Sequence, residues 1–137
     1  MVIMAVDLGK ARTGIAICDK TELLASPLTQ INEYNREKLL DKISDLAKEK
    51  RAELLVVGLP KNMDGSLGFR ADITMKFADD LKKRLPETEF IFQDERLTTV
   101  QASTFLNATN TRGKSRKNVI DTVAAEIILQ SYLDSIK

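Results

Sequence analysis

Three acidic positions carry most of the chemical content of this 137-residue chain. Asp7 closes an apolar run in "MVIMAVDLGKARTGIAI", with Gly9, Arg12 and Gly14 just behind it. Asp94 and Glu95 follow a second apolar run in "FQDERLTT", and Asp121 stands among apolar neighbours in "NVIDTVAAEIIL". Charged side chains are rarely buried without partners. Three acids at the ends of elements, brought together, repel one another unless a cation binds between them. The chain has no histidine and a single cysteine, Cys18. That removes the Ser-His-Asp triad, histidine zinc ligands and any histidine general base. A donor set made only of oxygens favours Mg²⁺ or Mn²⁺ over Zn²⁺. Two such ions about 3.5–4 Å apart can activate a water and stabilise the leaving oxygen in phosphodiester cleavage.

Each acid also has a plain structural reading. Asp7 could be a turn residue bonded to its own backbone. Asp121, three residues after Asn118, could serve a helix N-terminus through the dipole. "DER" could be a solvated turn with an internal ion pair. Taken together these readings leave three acids flanked by core residues unexplained. Strand alternation lets only one of Asp94 and Glu95 face the same way as a given neighbour, and spacing alone does not choose between them.

The cations form a second group. Arg112, Lys114, Arg116 and Lys117 place four positive charges in six positions with no acid among them. A basic loop just ahead of a carboxylate site can hold a phosphate backbone. Arg12, Lys61, Arg70 and Arg96 each lie in or beside a loop expected near the strand ends. No aromatic residue interleaves with the basic ones, so base stacking is not indicated. Ala108–Ser115 reads A-x4-G-K-S, one letter from a phosphate loop, but it follows a helix-like segment rather than a strand and is a chance match.

Positioning these groups requires a particular set of elements. Val2–Val6 reads as a buried strand and Thr13–Cys18 as a second, with Gly9 and Gly14 punctuating the turn between them. A weaker strand around Leu23–Gln30 contains Pro27, which suits a sheet edge. A helix over Asn35–Lys50, with Asn35 as N-cap, follows from Leu39, Ile43, Leu46 and Ala47. "ELLVVG" (Glu53–Gly58) has the continuous apolar character of a central strand. Phe69, Ile73, Phe77, Leu81 and Leu85 step by four, which predicts a helix ending before Pro86. "EFIFQ" (Glu89–Gln93) is a fifth strand. A short helix over about Thr98–Asn107, a polar basic segment and a last helix starting near Asn118 complete the chain.

The order βββαβαβαα implies an α/β fold. Its mixed five-stranded sheet has three antiparallel strands first, parallel additions after, and helices on both faces. The five phenylalanines, Phe69, Phe77, Phe90, Phe92 and Phe105, are expected in the core, as is Cys18. The expectation is one domain over residues 1–137. Net charge is +1, so any nucleic-acid partner must be held by local patches. No apolar run approaches a membrane span of ~20 residues. The start lacks signal-peptide features and the lone cysteine cannot form an internal disulfide, which together point to a reducing cytoplasm.

The segments "DLGKARTGIAICD", "SPL", "VVGLPKNMDGSLG", "DERLTT" and "DTVAAEIILQSYL" occur in that order over nearly the whole chain. In this the chain closely resembles the YqgF family, assigned to Holliday junction resolution and to nuclease processing of the 5′ end of pre-16S ribosomal RNA. The resemblance implies a ribonuclease H-like fold. It places the family's acidic triad on Asp7, Glu95 and Asp121, with Mg²⁺ or Mn²⁺ as cofactor and Arg12 and Arg96 beside the site. It implies structured RNA or branched DNA as partner, with association to a ribosomal precursor.

Two other function classes fit parts of the sequence. The "D-L-G…G" start also resembles the phosphate motif of the sugar kinase, heat-shock chaperone and actin group, although those proteins close two such domains over ATP. A nucleic-acid-binding factor without catalysis would use the Arg112–Lys117 segment alone.

Overall fold

The computed structural model describes residues 1–9, 12–18, 21, 24–61, 64–94 and 113–136, the side chains of 113–122 excepted. Five strands form one sheet: β1 (Ile3–Asp7), β2 (Arg12–Cys18), β3 (Ala25–Asn32), β4 (Leu54–Leu59) and β5 (Glu89–Asp94). Their spatial order is β3-β2-β1-β4-β5. β1 is antiparallel to β2, and β2 to β3. β1 is parallel to β4, and β4 to β5. This is the mixed sheet expected from the element order.

β1 and β4 occupy the interior of the sheet, and their sequences say why. IMAV and LLVVGL are buried at every position. A strand covered on both faces has no polar side to alternate with. β3 lies at an edge and carries Pro27, which has no N–H to give a ladder. The pairing with β2 slips there: Ile15 faces Thr29 but Ala16 faces Pro27, leaving one extra residue on β3.

Three helices cover the sheet: α1 (Arg36–Lys50), α2 (Phe69–Arg84) and α3 (Gly113–Ser135). α1 starts where Asn35 Oδ1 accepts a hydrogen bond from the Lys38 N–H at 3.0 Å. α2 stops before Pro86, with the Leu85 N–H donating to the Leu81 carbonyl at 3.0 Å. On one face, Met4, Val6, Ile15 and Leu55 pack with Leu39, Leu40 and Ile43 of α1 and Phe77 and Leu81 of α2. On the other, Ile3, Ala5, Ala16, Cys18, Leu54 and Val56 pack with Ala125, Ile128, Leu129 and Leu133 of α3. No helix among the described residues is long and apolar enough to cross a membrane.

Three sequence expectations need correction. α3 begins at Gly113 rather than near Asn118, so Lys114, Arg116 and Lys117 stand in its opening turns and not in a loop. Those turns contain no apolar residue, so no 3.6-residue stripe marks them. Phe69 and Phe92 are not core: Phe69 is 78% and Phe92 37% exposed. Gly14 lies inside β2 rather than in the turn before it. The short helix expected over Thr98–Asn107, and Phe105 with it, lies outside the described residues.

Candidate active site

The three parallel strands β1, β4 and β5 all finish at the same end of the sheet, which gathers Asp7, Leu59 and Asp94 along one edge. Such carboxyl ends are where ligands bind in open α/β sheets. Side chains alternate along a strand, so Asp7 shares the face of Ile3 and Ala5, the face covered by α3. Arg12, Gly14 and Ala16 fall on that face of β2 by the same rule. Asp94 does not, because Phe90 and Phe92, four and two residues before it, point to α2: Lys82 Nζ sits 5.9 and 5.8 Å from their ring centres. Asp94 therefore faces away from Asp7.

Register adds a feature that local sequence patterns do not reveal. Asp7 pairs across the sheet with Gly14. The β1–β4 register, Val6 opposite Val57, carries on to put Gly58 at the other side of Asp7. Neither neighbour of this carboxylate contributes a side chain. Both glycines are visible as letters, but only the register shows that they flank one acid.

The turn after Asp7 is tight. A Cβ on Gly9 would collide with the carbonyl oxygen of Arg12, so the hairpin closes only around glycine at this position. On the neighbouring loop the chain folds back on itself between Lys61 and Leu67. Asp64 Oδ1 accepts from the Ser66 N–H at 2.8 Å and its hydroxyl at 2.6 Å, while Gly65 takes a φ of 90°. The Gly- and Asn-rich segment therefore has a structural role, returning the chain from β4 to the start of α2.

α3 approaches the same edge. Gln130 Oε1 accepts from the Ala25 N–H at 2.9 Å, level with Cys18 and the beginning of β1. Ala124 and Ala125, further back, are buried against the sheet. Nine residues before Gln130, about 13 Å along a helix, stands Asp121. Ile3 to Asp7 covers nearly the same length, about 13 Å of strand. The backbone of α3 thus carries position 121 toward the end of β1. Its side chain, like those of Lys114, Arg116 and Lys117, is outside the described residues, and so are Glu95, Arg96 and Arg112 entirely. Among the described residues no three acidic or sulfur side chains cluster as metal ligands; two of the three expected acids are not part of that set.

Glu126 is a further acid, one that no sequence motif singles out. Burial on α3 raises its carboxyl above the ordinary glutamate value.

A family model described as RuvX, Holliday junction resolvase, matches residues 1–135. The chain belongs to the RuvX family. A relative from Halothermothrix orenii is 46% identical over 134 residues, covering 98% of this chain and 95% of its own. One from Roseiflexus is 42% identical over 133 residues, covering 97% and 94%. Both carry the name "Putative pre-16S rRNA nuclease". Among solved structures, a Fowlpox virus resolvase in complex with Holliday junction DNA aligns with a TM-score of 0.65 at 14% identity, covering 99% of both chains. Thermus thermophilus RuvC aligns with a TM-score of 0.60 at 12% identity, covering 99% and 96%. At these identities the structures speak for the fold, which is ribonuclease H-like, as the family resemblance implied.

Proposed function

We propose that this RuvX-family chain is a divalent-metal-dependent nuclease that hydrolyses phosphodiester bonds, with Asp7, Glu95 and Asp121 as its acidic ligands. The observation that carries the reading is the placement of Asp7. It ends the central strand, on the face that α3 covers, between two glycines. The orientation of Asp94 leaves Glu95 as the acid that serves from "DER". Position 121 travels on the helix that crosses toward Asp7, one turn before the buried Ala125. These three carboxylates would hold Mg²⁺ or Mn²⁺, which supplies activation of the attacking water and neutralises charge on the phosphate.

The remaining work falls to the cations. Arg12, on Asp7's face, and Arg96 orient the scissile phosphate. Arg112, Lys114, Arg116 and Lys117 hold the flanking backbone.

The substrate is the 5′ end of pre-16S ribosomal RNA, processed in the cytoplasm. The name shared by relatives at 42 and 46% identity supports this. The family's description as a Holliday junction resolvase favours a second reading, cleavage of branched DNA. A cleavage assay on both substrates with Mg²⁺ or Mn²⁺ decides between them. Asp7→Asn should lower the rate at least about a hundredfold while the circular dichroism spectrum stays that of the wild type. An Asp7→Asn protein that cuts at the wild-type rate would overturn the assignment. Salt-sensitive binding by wild type without any metal-dependent cleavage would show a binding factor instead.

A further inference from the structure

We infer that the groove at the start of α2 is a pocket for one unstacked nucleobase of the bound strand, next to the cleavage site. This rests on the nuclease reading of Asp7 and adds to it the form of nucleic acid that the site accepts.

The apolar stripe of α2 steps by four from Phe69 to Leu85, yet its two halves have different fates. Phe77, Leu81 and Leu85 are buried, whereas Phe69 is 78% and Ile73 46% exposed. Ala71 and Thr74, in the same turns, are buried; each step of four drifts about 40° round a helix, so at the first turn the stripe has left the sheet-facing side. What lies beside it is the chain immediately after Asp7. Leu8 and Gly9, with Phe69, Arg70, Ile73 and Thr74, line a groove of about 270 Å³. Leu67, two residues before Phe69, is 52% exposed as well. Exposed apolar surface of this kind marks a binding site more often than it serves stability.

Three features select a nucleobase as occupant. First, the groove is continuous with the proposed site: Asp7 and Leu8 are successive residues, about 3.8 Å apart along the backbone. They face opposite sides of the sheet edge. A strand whose phosphate lies at Asp7 has its neighbouring base within reach of the far side. Second, Phe69 presents a ring to solvent, and stacking on an aromatic ring is the general way proteins hold unpaired bases. Third, Arg70 follows it, exposed, and none of the described residues pairs with its guanidinium, so it can meet the next phosphate. The basic segments read from the sequence lacked an aromatic neighbour. Phe69 and Arg70 supply that pairing, because the aromatic expected in the core is at the surface. A base inside a continuous duplex cannot enter the groove, so the substrate must carry an unpaired or displaced nucleotide beside the cleaved bond.

The chain contains no tryptophan, so Phe69→Trp introduces a single indole at the groove. The full-length Phe69→Trp protein is titrated with a single-stranded oligonucleotide and with an abasic strand of equal length, with Ca²⁺ in place of Mg²⁺. The base-bearing strand should quench the indole fluorescence and the abasic strand should not. Phe69→Ala should weaken binding of the base-bearing strand about tenfold and leave the abasic strand unaffected, with Phe69→Tyr restoring wild-type behaviour. Arg70→Gln should weaken both strands alike and reduce the salt slope by about one. Equal effects of Phe69→Ala on both strands, or an indole blind to bases while wild type cleaves, would overturn the groove and leave the nuclease intact. Base-dependent quenching without metal-dependent cleavage by wild type would overturn the nuclease reading and keep the pocket. A protein that binds neither strand would overturn both.

Discussion

The two faces of the sheet are built from different stock. The face under α1 and α2 is filled with large side chains, Met4, Val6, Ile15, Leu40, Leu55 and Phe77 among them. Ion pairs lace it from outside: Arg84 meets both Glu37, at 2.7 Å, and Asp41, while Arg36 meets Asp80. The face under α3 uses small residues where sheet and helix meet. Ala5 and Ala16 are cross-strand partners, and Ala125 packs in the same cluster. Large side chains hold elements together at a distance, and small ones let a helix backbone come close to a strand. The second face is the one that carries Asp7. Stability and the proposed chemistry are thus separated to opposite sides of one sheet, and substitutions should separate them too.

The sharpest test sets one residue from each face against the other. Asp7→Asn should abolish cleavage with the melting temperature preserved. Leu40→Ala, in the buried centre of the opposite face, should cost about 2–5 kcal/mol of stability, while the folded fraction keeps its turnover rate. Stopped assays paired with denaturant unfolding measure both. If Leu40→Ala lost activity per folded molecule as severely as Asp7→Asn, the division between faces would be wrong.

A smaller effect is expected from enlarging the small-residue face. Ala125→Leu overfills a close helix–strand contact and should destabilise by about 1–3 kcal/mol. It should also slow cleavage in the folded protein, because α3 must lift from the strand that ends in Asp7. Crowding on the other face, for example Val6→Ile, should lower stability without that kinetic loss. Gly9→Ala comes next. The added methyl meets the Arg12 carbonyl, so the hairpin has to open. The expected result is a modest loss of stability together with a raised KM, as Arg12 shifts relative to Asp7.

The smallest effect belongs to the ion pairs. The hydrogen bond from Arg36 is the main cause that holds the Asp80 carboxyl below its ordinary value, and the bond from Lys42 does the same for Glu33. A depressed carboxylate adds stability above its unfolded pKa and loses it as pH falls through the folded one. Asp80→Asn should therefore lower the urea midpoint slightly at about pH 7, and the difference should shrink as pH falls below the ordinary aspartate value of 3.8. Both pairs lie at the surface, so the shift is expected to be slight and to shrink in salt. A large change at neutral pH would mean that the pairs contribute more than surface position allows.

Much of this architecture is legible in the residues. Continuous apolar runs identify β1 and β4 as interior strands, and Pro27 identifies β3 as an edge. Asn35 and Pro86 mark where a helix begins and where another has to stop. What escapes has physical causes. A stripe that steps by four drifts about 40° round the helix each time, and only the packing shows which end of it meets the sheet, so the exposure of Phe69 could not be read. The start of α3 carries no periodic signal because its first turns contain no apolar residue. The choice between Asp94 and Glu95 turns on the phase of alternation in β5, which is set only once Phe90 and Phe92 are known to meet α2. The flanking of Asp7 by Gly14 and Gly58 combines the register of the β1–β2 hairpin with the pairing of β1 to β4, a strand far along the chain, which no local pattern encodes.

β1 has a ladder of hydrogen bonds on both sides, to β2 and to β4. Amide protons of Ala5 and Val6 can then exchange with solvent only when the sheet itself comes apart, unlike those of the edge strands or the helix ends. The carboxylate at the end of this strand shares that protection. Partial opening elsewhere leaves it in place, so a molecule that has lost the position of Asp7 is one that has unfolded. In rising denaturant, the order of the β1 amides and the integrity of this end of the sheet should fail together, at the global transition.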